Sequence, residues 1–316
     1  MLSKFLRQWT LPLAIIAGIA GYFLYVAIPA LDHTHAAVMR MVSIVQPLLI
    51  FLMLFITFCK VKPREIHFAR WHVYALLMQV LLFGLMLVAL LLMREPAGGQ
   101  ANQMAFLPVE SAMLCFICPT ATAAAVVTAK LGGNAGTLTT YTILINLVVA
   151  MVVPAAVPLL YPEGSATFLQ SFLLIVIKVF PLLIGPLLLV LLLRCLVPRF
   201  VRAVASVSGL AFYIWAVSLA LAIAVSVKAL VHSRASMSVL IGIAAASAVA
   251  CLVQFAFGHM LGRKYNDAVS ATQSCGQKNT VFAIWLGYTF LDPLTALAGG
   301  FYSIWHNLYN SWQLRR

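Results

Sequence analysis

The sequence predicts an all-α polytopic membrane protein with ten transmembrane helices in two inverted five-helix repeats, the fourth and ninth helices being broken. Three observations predict it. Of 316 residues, 64% are hydrophobic and only 9% charged, too little charge to cover a soluble surface of that size. The apolar residues fall in continuous runs of about 20, the length that crosses a hydrocarbon layer as a helix, rather than in the alternating stretches of about ten residues that build a barrel. Two of these runs are interrupted by polar or helix-breaking residues at corresponding places in the two halves of the chain.

The spans are taken in order as 11–30, 38–59, 72–93, 105–131, 136–160, 168–197, 204–230, 236–261, 268–290 and 293–312. The fourth is interrupted near Pro119, the sixth contains Pro181 and Pro186, and the ninth is polar in its middle. The first run has no small-residue cleavage site behind it, so it reads as a span and not as a signal peptide.

Basic residues set the orientation. With the N-terminus inside, the inner segments hold Lys4, Arg7, Lys60, Lys62, Arg64, Arg70, Lys130, Arg194, Arg199, Arg202, Arg263, Lys264, Arg315 and Arg316. The outer segments hold only Arg40, Arg94, Lys228 and Arg234. This asymmetry predicts a multi-pass protein of the cell inner membrane with both termini cytoplasmic. It also accounts for the net charge of +13, since the charge lies in loop clusters and not on a nucleic-acid-binding face.

Five spans per half force opposite orientations on the halves, taken as residues 1–162 and 163–316, within a single membrane domain. The breaks at Pro119 and Gly276 lie 157 positions apart, close to half of the 316-residue chain. Paired interrupted helices of this kind mark transporter binding sites at the bilayer midplane.

Two stretches carry candidate chemistry. In Cys118-Pro119-Thr120-Ala121-Thr122-Ala123-Ala124-Ala125, the proline removes a backbone donor and the two threonines can satisfy freed groups. The alternatives are an ordinary proline kink, which membrane helices tolerate, and a break whose exposed backbone binds ligand. In Thr272-Gln273-Ser274-Cys275-Gly276-Gln277-Lys278-Asn279-Thr280, a lysine falls inside a span, where it costs roughly 2.5–3.5 kcal/mol on insertion scales. Were this stretch a loop, only Val281–Phe290 would remain as the span, which is too short.

Other polar residues are weaker candidates. Lys178 can snorkel to an interface. His306, beside Trp305, is either a proton carrier or a packed histidine. Asp32, Glu65, Glu95, Glu163, Asp267 and Asp292 fall in loops or at span ends, and only Glu110 falls within a span. Cys115 and Cys118 have redox or metal spacing, but with no second pair and no nearby histidine they read, like Cys59, Cys195, Cys251 and Cys275, as small apolar residues. No metal or cofactor is expected.

At these residues the chain resembles the bile acid:sodium symporter family and its bacterial homologues of the apical bile acid transporter. The resemblance covers nearly the whole chain and is strongest at Cys118–Asn146 and Gly276–Ser311. It includes Gly133-Asn134 and the Leu297–Asn307 ending with Trp305, His306 and Asn307. It implies a panel of helices one, two, six and seven beside a core in which the broken helices four and nine cross. Sodium-coupled members carry a Ser-Asn pair where this chain has Ala124 and Ala125. A family hydroxyl falls at Leu138, although Thr142 retains one. The glutamate shared by both sodium sites falls at Ser274, and a glutamine at Lys278. Gln79 alone matches a remaining sodium-site residue.

The chemistry of those replacements stands apart from the resemblance. Ala124, Ala125 and Leu138 offer no side-chain oxygen, Ser274 no charge, and Lys278 a cation that repels a sodium ion about 4 Å away by roughly 4 kcal/mol at an effective dielectric near 20. The expectation is therefore a non-enzymatic, alternating-access carrier for a small organic anion. It would be sodium-independent, with the Lys278 ammonium bonding to carbonyls in place of the ion, or coupled to protons through Lys278. The expected crossover region is Gln79, Pro119, Thr120, Thr122, Ala124, Ala125, Thr142, Ser274, Gly276, Gln277, Lys278 and Asn279, with His306, Asn307 and Glu110 as secondary candidates. The expected partners are the anion, the lipid bilayer and protons, not nucleic acid. The alternative is a membrane sensor or ligand-binding protein of the same fold that does not transport. A membrane-embedded enzyme ranks last, because no zinc motif, nucleophile elbow or carboxylate dyad is present.

Overall fold

The computed structural model describes residues 2–93, 103–162, 166–207, 209–233 and 235–315, with the side chains of 2–8, 31, 32, 103 and 104 left aside. Glu95, Glu163, Arg94, Arg234 and Arg316, and the side chains of Lys4, Arg7 and Asp32, thus lie outside the described residues. The described chain is helical: α1 (Leu2–Val26), α2 (His35–Lys60), α3 (Arg70–Met93), α4 (Gln103–Ile117), α5 (Ala124–Lys130), α6 (Ala135–Leu160), α7 (Phe168–Leu183), α8 (Gly185–Leu196), α9 (Pro198–Ser206), α10 (Leu210–His232), α11 (Met237–Lys264), α12 (Ala268–Gly276), α13 (Thr280–Phe290) and α14 (Ala296–Gln313). Short 3-10 turns cover Pro29–Thr34, Pro63–Glu65 and Pro293–Thr295.

Among the described residues, six helices are long and apolar enough to cross a membrane: α1 from Trp9 onward, α2, α3, α6, α10 and α11. Helices α7 and α8, bent by 47° at their junction, make a seventh if taken as one span. The bend has a covalent cause, because Pro186 opens α8 without a backbone donor and Pro181 crowds the last turn of α7. The chain is a multi-pass membrane protein by length and composition. The fourth and ninth sequence runs appear as two short helices each, α4 with α5 and α12 with α13.

Several boundaries differ from those read in the sequence. The seventh run does not start at 204: α9 ends at Ser206, and α10 starts at Leu210 after Gly209, whose φ of 79° lies in the left-handed region. The first helix ends at Val26, and 29–34 is a 3-10 turn opened by Pro29. Apolarity marks where lipid can be, and in both places a Gly or Pro sets where the helix stops.

The helices pack in two groups. Helix α1 lies on α10, α10 on α2, and α2 on α7 and α8. In the second group α3 lies on α4, α4 on α11, α11 on α12 and α14, and α13 on α14. Helix α6 touches both groups through α7 and α3. The neighbour pairs recur: α3 packs on α4 as α11 packs on α12, and α5 on α6 as α13 on α14.

Small residues permit the closest of these contacts. A Cβ on Gly258 of α11 would stand 2.6 Å from the Ala271 carbonyl oxygen of α12, and one on Gly262 2.6 Å from the Ala268 Cα. The Gly-x-x-x-Gly spacing puts both on one face, which lets the two backbones meet.

Cross-chain hydrogen bonds gather the basic loops on one face. The Arg194 guanidinium donates to the Phe58 carbonyl at 3.0 Å, at the end of α2. The His67 amide donates to Thr140 Oγ1 at 3.1 Å, and the Asn134 amide to Ser270 Oγ at 2.8 Å. Trp71 Nε1 donates to Asp267 Oδ2 at 3.0 Å, bringing the start of α3 to the start of α12. The segments around 60–71, 134–140, 194 and 263–270 therefore share one end of the molecule.

Candidate functional site

The two broken runs meet. Pro119 cannot donate a backbone hydrogen bond, and the chain from Cys118 to Ala123 is extended or turned between α4 and α5. On the other side Gln277–Asn279 separates α12 from α13. Thr120 and Lys278 pair across the gap as an antiparallel bridge. The Asn279 amide donates to the Pro119 carbonyl at 2.8 Å, and the Ala121 amide to the Gln277 carbonyl at 2.8 Å. Thr120 Oγ1 donates to the Ser274 carbonyl at 2.8 Å. Each break thus supplies the hydrogen bonds that the other lost, the condition under which irregular backbone survives at membrane depth. Asn279 also caps α13, its side chain accepting from the Phe282 amide at 3.2 Å.

Gly276 is needed for this approach: a Cβ there would stand 2.3 Å from the Phe255 ring of α11. Beside it, a buried polar chain links five helices, α6, α3, α11, α14 and α12. The Tyr141 hydroxyl donates to Gln79 Oε1 at 2.7 Å, and Gln79 Nε2 donates to Gln254 Oε1 at 3.2 Å. Gln254 Nε2 donates to the Tyr302 hydroxyl at 3.0 Å, which donates to the Gly276 carbonyl at 2.8 Å. Gln79 therefore serves as a link in an amide–phenol chain. Gln254, Tyr141 and Tyr302 were not singled out in the sequence. Gln254 was detectable as a polar residue inside the eighth run, whereas nothing distinguished the two tyrosines from others.

Lys278 lies inside this assembly, 1% exposed. Its Nζ has no hydrogen-bond partner among the described residues, which corrects the expectation that the ammonium bonds to carbonyls: the carbonyls at the crossing accept from backbone amides and hydroxyls instead. The free thiols of Cys115, Cys118, Cys251 and Cys275 lie near it. Thiols are weak acceptors, and Lys278 has no salt bridge to a carboxylate among the described residues. Ser274 Oγ, Gln277 Oε1 and Asn279 Nδ2 are also buried without a partner. An amino group and unpaired donors and acceptors thus collect on one short stretch.

The positions read as a lost sodium site lie on α5, α6 and α12, which pack on one another. Ala124 and Leu138 are buried and Ala125 is half-buried. Thr142 Oγ1 donates to the Leu138 carbonyl at 3.0 Å, within its own helix. Thr122 is half-buried beside the bridge. Among the described residues, no group of three or more His, Cys, Asp or Glu side chains could hold a metal ion.

The secondary candidates separate. His306 is buried, its ring edge-on to Tyr302 with centroids 5.7 Å apart, and so belongs beside the crossing. Asn307 Nδ2 donates to the Ser303 carbonyl at 2.7 Å, within its own helix. Glu110 is fully buried away from the crossing, bonded to Tyr161 at 2.6 Å and to the Thr295 hydroxyl. Lys178 is exposed, its ammonium 5.6 Å from the centroid of the Phe290 ring. No family model matches this chain, and no curated protein matches it.

Proposed function

We propose that this protein is a secondary transporter of a small organic anion, built as ten spans in two inverted halves, and that it works without sodium. The observation that carries the reading is Lys278, buried with no hydrogen-bond partner where the two broken helices bridge. A buried cation without a countercharge is costly, and a carboxylate or similar group on the solute offsets that cost. Ser274, Gln277 and Asn279 supply neutral donors and acceptors beside it. The repeated neighbour pairs on either side of the chain's midpoint support the inverted halves. The resemblance to bile acid:sodium symporters points the same way on fold, while the residues at 124, 125, 138, 274 and 278 speak against sodium. The basic loops gathered on one face support cytoplasmic termini in a cell inner membrane.

The test is a thermal-shift screen of organic anions on purified protein, in sodium and in potassium, followed by flux of any stabilising anion in proteoliposomes. The expected result is an anion-induced rise in melting temperature equal in both salts and lost in Lys278→Gln, with flux in the native protein. If Lys278 also carries a coupling proton, the flux depends on pH and the dependence disappears in that variant. Binding without flux points instead to a sensor of the same fold.

A further inference from the structure

Two acidic side chains that the anion site does not use occupy matching places at opposite ends of the molecule. Glu110 lies in α4, ten residues before Thr120, and Asp267 lies just before α12, eleven residues before the bridge partner Lys278. Glu110 is bonded to the Thr295 hydroxyl, at the start of α14. Asp267 Oδ2 accepts from Thr137 Oγ1 at 2.7 Å, in the first turn of α6. The acids are 157 positions apart and the threonines 158, close to the separation of the breaks. Each acid also accepts from one aromatic donor, Glu110 from the Tyr161 hydroxyl at 2.6 Å and Asp267 from the Trp71 indole at 3.0 Å. Neither has a salt-bridge partner among the described residues.

The two sites face opposite ways. Trp71 opens α3 at the Asp267 end, and α3 runs 24 residues, about 36 Å, before the chain enters α4. Each hydrogen bond also joins the two halves of the chain: Glu110 in the first half holds Thr295 in the second, and Asp267 in the second holds Thr137 in the first. Glu110 stands within, and Asp267 at the N-cap of, the leading half of a broken helix, and each holds the N-terminal end of an unbroken one, at Thr295 before α14 and Thr137 in α6.

We propose that Glu110 and Asp267 are paired positioning residues that latch the two broken helices shut, Glu110 at one face and Asp267 at the other, and that alternate release of the two latches decides which face opens to Lys278. The proposal rests on the carrier reading, in that it assigns the two latches to the two ends of its access path. Both latches are closed in this structure, and Lys278 is 1% exposed. The hydroxyl and indole donors do what a counter-cation does elsewhere, but they can be given up without leaving a second buried charge.

Hydrogen–deuterium exchange on the purified full chain in nanodiscs tests this without any solute. The variants are Thr295→Val and Thr137→Val, which remove one hydroxyl each at nearly constant shape. Thr295→Val is expected to speed exchange across 105–117 and 293–300 by about tenfold, the factor carried by one hydrogen bond to a charged group, and to slow it across 134–142 and 268–276. Thr137→Val is expected to do the reverse. A merely structural hydrogen bond loosens only its own end, so a variant that speeds exchange at its own end without slowing the other overturns the proposal, as does a rise at both ends or at neither. If a valine variant does not fold, Tyr161→Phe and Trp71→Phe replace it, each removing the second donor to the same carboxylate. Flux by the native protein is measured separately: its absence overturns the carrier reading, whereas loss of end-specific exchange overturns the latches.

Discussion

Thr120 and Lys278 are bridge partners, and each sits in a break that the other's strand-like segment repairs. The pairing fixes the backbone of Lys278 while leaving its ammonium without an acceptor among the described residues. Stability and binding at this residue therefore pull in opposite directions. Lys278→Met keeps an unbranched side chain, one atom shorter, and removes a charge buried near four thiols. It should raise the melting temperature, by about 1–3 kcal/mol of stability on the scale of buried-charge replacements, and abolish the anion-induced shift. A lower melting temperature in the methionine variant, measured without added anion, counts against an unpaired ammonium.

Sodium should change neither the melting temperature nor the flux of the native protein. Ala124, Ala125, Leu138 and Ser274 leave the packed faces of α5, α6 and α12 without a side-chain charge, and Thr142 donates its hydroxyl proton to its own helix. Melting curves in sodium and potassium chloride at equal ionic strength decide the matter. A rise specific to sodium reveals a cation site these residues were read as lacking.

Gly276→Ala should be among the most destabilising small substitutions in the chain. Its methyl would stand 2.3 Å from the rigid Phe255 ring, which is itself stacked on Tyr309 with centroids 4.0 Å apart. Overpacking of this kind costs about 1–3 kcal/mol. Gly21→Ala is the control, because nothing lies within 4 Å of a Cβ there. Equal melting temperatures for the two variants would show that the ring yields freely.

The helices and the two breaks were legible because hydropathy, proline and a buried lysine each leave a mark on a single sequence. Where the Lys278 ammonium ends was not legible. Its neighbours come from α4, α11 and α12, and which carbonyls are already taken depends on the bridge that forms between segments more than 150 residues apart. The same holds for Tyr141 and Tyr302, whose hydroxyls matter only because Gln79 and Gln254 face them. Asp267 reads as a residue of a loop or span end and lies between α11 and α12, but its partners Trp71 and Thr137, 196 and 130 positions away, left no mark beside it in the sequence.

The Gln79–Gln254 pair should show strong coupling. Both side chains are fully buried in a chain of hydrogen bonds running from Tyr141 to the Gly276 carbonyl. Gln79→Leu alone strands the Tyr141 hydroxyl and the Gln254 amide oxygen, at about 1–3 kcal/mol for each unpaired group. The double variant with Gln254→Leu should cost less than the sum of the singles, since it removes both partners of one bond. Additive losses in urea or thermal denaturation mean that the two amides act independently.

The last prediction concerns sidedness. Arg194 reaches back to the end of α2, and Trp71 ties the start of α3 to Asp267, so the loops at 60–70, 194–202 and 263–266 form one surface. Those loops carry Lys60, Lys62, Arg64, Arg70, Arg194, Arg199, Arg202, Arg263 and Lys264, and basic loops stay in the cytoplasm. With the exposed Cys195 replaced by Ser, single cysteines at Arg64, Arg199 and Asn266 should resist a membrane-impermeant maleimide added to intact cells. All three should react once the membrane is opened. A cysteine at Ser233, between α10 and α11, should react in intact cells. Because hydrogen bonds link the three loops across the chain, they must behave alike. Labelling of one without the others contradicts the fold as well as the orientation, whereas labelling of all three from outside, with Ser233 protected, keeps the fold and inverts the molecule in the membrane.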